Sequence, residues 1–145
     1  MCAPAYVMDR VRKVHDFLTV GAAAPLQEAV IAGLELPDSY YQGVRDLFTH
    51  RKNLFIKGLD EIGLKYYEPQ GTYFVLVDIS EFNYADDYEF WTDLARDVKV
   101  GAVPGSSFFK EDVHNYIRLH FAKSDDTLNE ALHNLSKIRE IIKVK

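Results

Sequence analysis

The residue whose chemistry is easiest to name is an arginine in the middle of an alternating run. In Tyr116-Ile117-Arg118-Leu119-His120-Phe121 every second residue is apolar. That period predicts a strand with Ile117, Leu119 and Phe121 on one face and Tyr116, Arg118 and His120 on the other. A guanidinium carries five N–H donors in a planar fork that matches a carboxylate with two parallel hydrogen bonds, and a strand holds the fork steady. On pattern alone the same arginine also fits a solvated sheet face, paired with a neighbouring carboxylate. Pattern alone favours this second reading, and spacing does not overturn it. The run Val103-Pro104-Gly105-Ser106-Ser107-Phe108 reads as a strand end and a turn. There the Ser106 hydroxyl and backbone N–H groups can meet an anionic ligand, or make an ordinary turn. It has the spacing of neither a phosphate loop nor a serine-hydrolase elbow. Gly71-Thr72-Tyr73 enters a second strand in the same way, and Tyr73 either lines a pocket or packs. The five histidines, at 15, 50, 114, 120 and 133, lack metal-ligand spacing, so no metal is expected. His120 shares the Arg118 face.

The elements that must position these residues fall into two unlike parts. Residues 1 to about 36 are helical and apolar. Val7, Val11 and Val14 recur at helical spacing over Ala5 to Val14, ahead of a Thr19-Val20-Gly21 break. The stretch Ala22 to Leu36 is small and apolar on nearly all sides, which suits a helix enclosed by neighbours. With nothing to enclose them, these residues are expected to expose an apolar patch. A long helix follows, with Asp38 as candidate N-cap, Val44, Leu47, Phe48, Phe55, Leu59 and Ile62 on one face, and Gly63 as its stop.

Residues 64–145 read as a mixed sheet covered by helices. Its strands are Lys65 to Glu68, Thr72 to Ile79, Val100 to Val103 and Tyr116 to Phe121, with Pro69-Gln70-Gly71 turning between the first two. Asp86 with Glu89 resembles a capping box that opens a helix carrying Phe90, Leu94 and Val98. Ser124 caps a last helix, with Leu128, Leu132, Leu135, Ile138 and Ile142 along one stripe and lysines at its end. The fold class is α/β, with an α+β small domain.

Composition bounds the rest. A chain of 145 residues, 48% hydrophobic, can bury a core. A net charge of −5 without a basic tract argues against nucleic acid as a partner. No apolar run approaches the roughly 18 residues that span a bilayer, so no membrane partner is expected. Cys2 is the only cysteine, so no internal disulfide forms. The start MCAPAYVMDR lacks a signal peptide's regions, and a cytoplasmic location is expected.

Three stretches taken in order resemble the class I and II aminotransferases, fold type I of the pyridoxal-phosphate enzymes. They are KVHDFLTVGAAAPLQEAV at 13–30, EPQGTYFVLVDIS at 68–80 and VGAVPGSSFFKEDVHNYIRLHFAKSDDTLNEALHNL at 100–135. The resemblance implies a C-terminal part of such an enzyme. Residues 1–36 would be a remnant of the large cofactor-binding domain, 37–63 a connecting helix, and 64–145 the C-terminal small domain. It implies pyridoxal 5'-phosphate as cofactor, amino acid and 2-oxo acid as substrates, and a homodimer. Arg118 would bind the substrate's α-carboxylate. Ser106 would lie in a turn beside the substrate pocket, Gly71 and Tyr73 on its other wall, and Leu18 to Pro25 in a loop approaching the partner subunit's active site. The family's cofactor lysine lies in a motif upstream of the segment resembling Cys2-Ala3-Pro4. None of the ten lysines here has that context, so the chain alone is expected to be inactive. A carbon–sulfur lyase of the same fold, a small module binding an amino acid or organic acid without catalysis, and a purely structural interaction domain remain alternatives.

Overall fold

The computed structural model describes residues 4–19 and 21–142. Cys2, Val20, Lys143 and Lys145 lie outside the described residues, together with the expectations placed on them. The chain divides into two compact units, Met1–Gln42 and Gly43–Lys145.

In the first unit α1 (Ala5–Thr19) runs past its Ala5 to Val14 pattern as far as the anticipated break. Helix α2 (Ala24–Leu34) starts with Pro25 in its first turn, where a missing N–H costs nothing. None of the α2 residues is buried, and Leu26, Val30, Ile31 and Leu34 stand exposed. The reason is one of supply. A helix that is apolar all round needs neighbours all round, and this unit holds only α1 and the opening of α3 beside it.

Helix α3 (Asp38–Ile62) follows its apolar stripe. Asp38 lies inside the first turn rather than at the N-cap, where its charge still suits the positive helix end. Gly63 ends the helix with φ +75, a left-handed conformation that only glycine adopts cheaply. The Leu64 N–H returns to the Leu59 carbonyl at 3.1 Å, closing the turn.

The second unit is built on a four-stranded sheet in the order β1-β2-β4-β3. The strands are β1 (Tyr66–Tyr67), β2 (Phe74–Asp78), β3 (Val103–Pro104) and β4 (Tyr116–His120). Every neighbouring pair is antiparallel. A mixed sheet was expected, and a helical crossover such as the one joining β2 and β3 lets two strands run the same way. They do, but β4 sits between them, so no parallel hydrogen bonds form.

The crossover itself departs from the expected helix. Asp86 caps α4 (Asp87–Asp93) by accepting the Glu89 N–H at 2.8 Å. From Leu94 to Val98 the chain then widens into a π-helical turn and leaves through Lys99 at φ +63. That exit keeps Val100 to Ala102 off the sheet, so β3 is shorter than the Val100 to Val103 strand its sequence suggests. Helix α5 (Asp125–Leu135) is capped by Ser124, as its sequence indicates. The final helix breaks at Ser136, whose hydroxyl donates to the His133 carbonyl, and resumes as α6 (Ile138–Ile141).

The core lies on one face of the sheet. Val75, Val77, Ile117 and Leu119 meet Phe55 and Leu59 of α3, Phe90 and Leu94 of the crossover, and Leu128, Leu135 and Ile138. Each such side chain contributes about 1.5–3 kcal/mol when fully buried. This packing fixes β4, and with it the direction of Arg118.

Candidate functional site

Strand β4 alternates as its sequence does: Ile117 and Leu119 are buried, and Arg118 is half-buried on the other face. Residues opposite one another in an antiparallel pair share a face. Leu76 and Val103 therefore flank Arg118, while Phe74 lies opposite His120 and Asp78 opposite Tyr116. This second face is an aromatic surface rather than a solvated polar one.

The guanidinium is stacked between two rings. Its Cζ lies 4.9 Å from the Phe74 centroid and 4.2 Å from that of Phe108. A cation so placed is attracted to both rings. Among the described residues ion pairs are made by Arg12, Arg51, Arg96 and Arg139, and none by Arg118. The alternative of an arginine paired with a neighbouring carboxylate is not what is found. Arg118 also borders a cavity of about 440 Å³, with Val103, His120, Lys123 and Thr127 among its walls. Burial, followed by the Lys123 and Arg118 cations, lowers the His120 pKa, so this wall gains no further charge readily.

Around the stack the aromatics continue. Tyr116 packs edge-on to Tyr67 at 5.6 Å, with their hydroxyls 3.1 Å apart, and touches Phe109 at 6.2 Å. Tyr73 packs edge-on to Phe74 at 5.8 Å and leaves its ring exposed. Tyr73 thus joins the Arg118 cluster through one ring.

Ser106 belongs to a 3-10 turn, Gly105–Phe108, that follows β3 and delivers Phe108 to Arg118. Its N–H donates to the Asp87 carboxylate at 2.7 Å, and its hydroxyl is buried with no partner in hydrogen-bonding geometry. Gly71 lines a shallow pocket with Tyr67, Phe74 and Leu76 of the Arg118 face. It also lines a cleft of about 320 Å³ with Arg45, Lys52 and Thr72, and a Cβ added there would meet nothing within 4 Å. The left-handed backbone of this turn falls on Thr72, at φ +70. For a β-branched residue that costs on the order of 1–3 kcal/mol, strain of a kind that gathers at ligand-contacting loops.

Sequence reasoning named Phe108 and Thr72 only within their turns and gave no part to Phe74 or Asp87. Asp87 is fully buried. Burial is the largest influence on its pKa and pushes it up, but the Ser106 N–H and the His114 ring outweigh it and leave the carboxyl lowered. The His114 Nδ1 lies 3.1 Å from Asp87 and its Nε2 2.8 Å from Asp112. Asp87 first and Asp112 second raise the His114 pKa.

The pair sets a pH window. A raised histidine contributes stability that is full below its unfolded value, about 6.5, and is lost as pH rises through the folded one. A lowered aspartate contributes above its unfolded value, about 3.9, and loses that as pH falls through the folded one. The two contributions coincide between about pH 4 and 6.5. Melting temperature is expected to fall as the pH is raised above neutrality, and His114→Gln to flatten that fall. Identical melting curves against pH for the two proteins would sink the assignment.

Among the described residues no group of three or more His, Cys, Asp and Glu is placed to hold a metal, and no helix is long and apolar enough to cross a membrane.

Comparison with known proteins gives this geometry its context. The family described as aminotransferase class I and II matches residues 1–135. The chain is 34% identical to the probable N-succinyldiaminopimelate aminotransferase DapC of Mycobacterium tuberculosis (strain CDC 1551 / Oshkosh), over 96% of this chain and 38% of that protein. It is 34% identical to the methionine aminotransferase of Escherichia coli (strain K12), over 94% of this chain and 36% of that one. The solved structure of N-succinyldiaminopimelate aminotransferase from Mycobacterium tuberculosis superimposes with a TM-score of 0.76 at 34% identity, covering 93% of this chain and 36% of that structure. The chain therefore spans well under half the length of these relatives. An alternating strand that carries an unpaired arginine, the crossover before it and a family match over nearly all of the sequence agree: this chain belongs to the class I and II aminotransferases.

Proposed function

We propose that this chain is the C-terminal portion of a pyridoxal-phosphate-dependent aminotransferase, which moves an amino group between an amino acid and a 2-oxo acid, and that Arg118 holds the substrate's α-carboxylate. The observation that carries this reading is the guanidinium stacked between Phe74 and Phe108 with no carboxylate partner among the described residues. A half-desolvated cation without a counter-ion favours an incoming anion, and a planar fork favours a carboxylate. Fixing that carboxylate orients the bonds at the substrate's α-carbon, a positioning effect that contributes several kcal/mol to barrier lowering. In this reading the turn that carries Ser106 lies beside the substrate's position, and Gly71 and Tyr73 form its other wall, a placement supported by the packing of Tyr73 on Phe74. A homodimer approached through Leu18 to Pro25 belongs to this reading, supported by the exposed Phe17, Leu18, Leu26 and Val30.

Members of this family depend on pyridoxal phosphate, which acts as an electron sink for bonds at the α-carbon. The described residues fit the carboxylate and do not fit covalent attachment of the cofactor. A Schiff-base lysine must be desolvated enough to shed its proton. Every described lysine is exposed except Lys52, which is half-buried with its ammonium 3.4 Å from both the Glu68 carboxylate and the Pro69 carbonyl. This chain's part is to bind and orient.

The test is made on the full-length protein with pyridoxal phosphate, a panel of amino acids and a 2-oxo acid acceptor. Formation of the new amino acid is expected. Release of ammonia and a 2-oxo acid without amino transfer would reassign the protein to lyase chemistry, and neither product would overturn the reading. The 145-residue chain alone is expected to form no borohydride-trappable adduct with the cofactor. Trapping at a single lysine would contradict that.

A further inference from the structure

We propose that Asp87 is a positioning residue for the carboxylate anchor, holding the Gly105–Phe108 turn so that the Phe108 ring stays against Arg118. The inference rests on the reading of Arg118 given above and goes beyond it, because Asp87 touches neither Arg118 nor any reacting atom.

Asp87 is the only buried charged residue among the described ones. Removing a carboxylate from water costs several kcal/mol unless both oxygens are used. Here both are, and by two ends of one segment. Oδ2 accepts the Ser106 N–H at 2.7 Å and Oδ1 meets His114 Nδ1 at 3.1 Å. Ser106 opens, and His114 closes, the chain between β3 and β4, the stretch that carries Phe108 and Phe109. One carboxylate on the first turn of α4 therefore fixes both roots of the segment that covers the anchor.

Two further contacts make the placement narrow. Gly105 lies so close to β4 that a Cβ would come within 2.5 Å of the Tyr116 carbonyl oxygen. Beside it the Ser107 hydroxyl lies 3.4 Å from that of Tyr88, the residue after Asp87. Phe108 is two residues beyond Ser106, and its ring is the nearer of the two on Arg118, at 4.2 Å. Losing the Asp87 grip frees the turn to move away from the strand, and the guanidinium loses one of the two walls that aim it.

A residue that only supports the fold reduces the amount of active protein and leaves the KM of the remainder unchanged. A positioning residue changes KM. In the full-length enzyme, Asp87→Ala is expected to raise KM for the amino-acid substrate about tenfold, the effect of losing one or two hydrogen bonds at a buried group, with kcat changed less. Asp87→Asn keeps an oxygen for the Ser106 N–H and is expected to restore KM to within about threefold of the unaltered enzyme. Should Asp87→Ala fail to fold, Phe108→Ala tests the same link at an exposed position, and the same rise in KM is expected. An unchanged KM in a folded Asp87→Ala enzyme, or in Phe108→Ala, overturns the proposal. Arg118→Lys measured alongside separates the two claims. If it raises KM while the other variants do not, only the role of Asp87 fails; if it too leaves KM unchanged, the anchor itself is wrong.

Discussion

Arg118→Ala in the full-length protein is expected to lower kcat/KM for amino-acid substrates by about 2–5 kcal/mol, the range found when one member of a buried charged pair is truncated. Much of that loss is the carboxylate left without a partner in a pocket walled by Phe74 and Phe108. Arg118→Lys is expected to recover only part, because an ammonium is a point charge and cannot form two parallel hydrogen bonds. The fold is expected to tolerate both changes. Arg118 is half-buried and makes no ion pair within the described residues, so its removal takes away ring contacts of about 0.5–1 kcal/mol each. Steady-state kinetics beside a thermal melt separates the two effects. A catalytic efficiency that survived Arg118→Ala would remove the arginine from the substrate site.

Gly105→Ala is expected to destabilise the second unit by about 1–3 kcal/mol, the usual cost of forcing a methyl group into a filled space. The added Cβ would come within 2.5 Å of the Tyr116 carbonyl oxygen and 2.8 Å of its Cβ. These atoms belong to β4, whose position is fixed by its pairing with β2, so relief has to come from the two-residue strand β3 and its turn. The substitution should therefore weaken substrate binding as well as stability. Gly71→Ala is the control, since its Cβ meets nothing within 4 Å, and a change within about 0.5 kcal/mol is expected. Urea unfolding of the two variants decides the matter. Equal midpoints would show that the backbones do not approach so closely.

What could be read in advance followed the range of the interactions involved. The alternation of Tyr116 to Phe121 and the stop at Gly63 are local, and the structure repeats both. So do the caps at Asp86 and Ser124, because a cap is decided by a residue and its third neighbour. The π-helical turn at Leu94–Val98 had no such signal. Phe90, Leu94 and Val98 fit the helical stripe either way, and the widening is settled by how the crossover meets the core. Asp87 was hidden for the same reason. Its partners lie 19 and 27 residues away, and one aspartate beside another reads as solvated helix start. The strands on either side of the crossover, β2 and β3, are parallel in direction, and the insertion of β4 between them makes every pair antiparallel rather than mixed. Gly71 and Thr72 show the limit at a single bond. The glycine is the residue a turn would assign to positive φ, and the structure puts the threonine there.

The two rings around Arg118 also decide where disorder is lost. A free arginine side chain gives up about 2 kcal/mol of rotamer entropy when it is immobilised. Held between Phe74 and Phe108, this one has given up much of that on folding, before any ligand arrives. In the role proposed for Arg118, a carboxylate would meet a receptor already set, and its association would carry a smaller entropic penalty than binding to a mobile surface arginine.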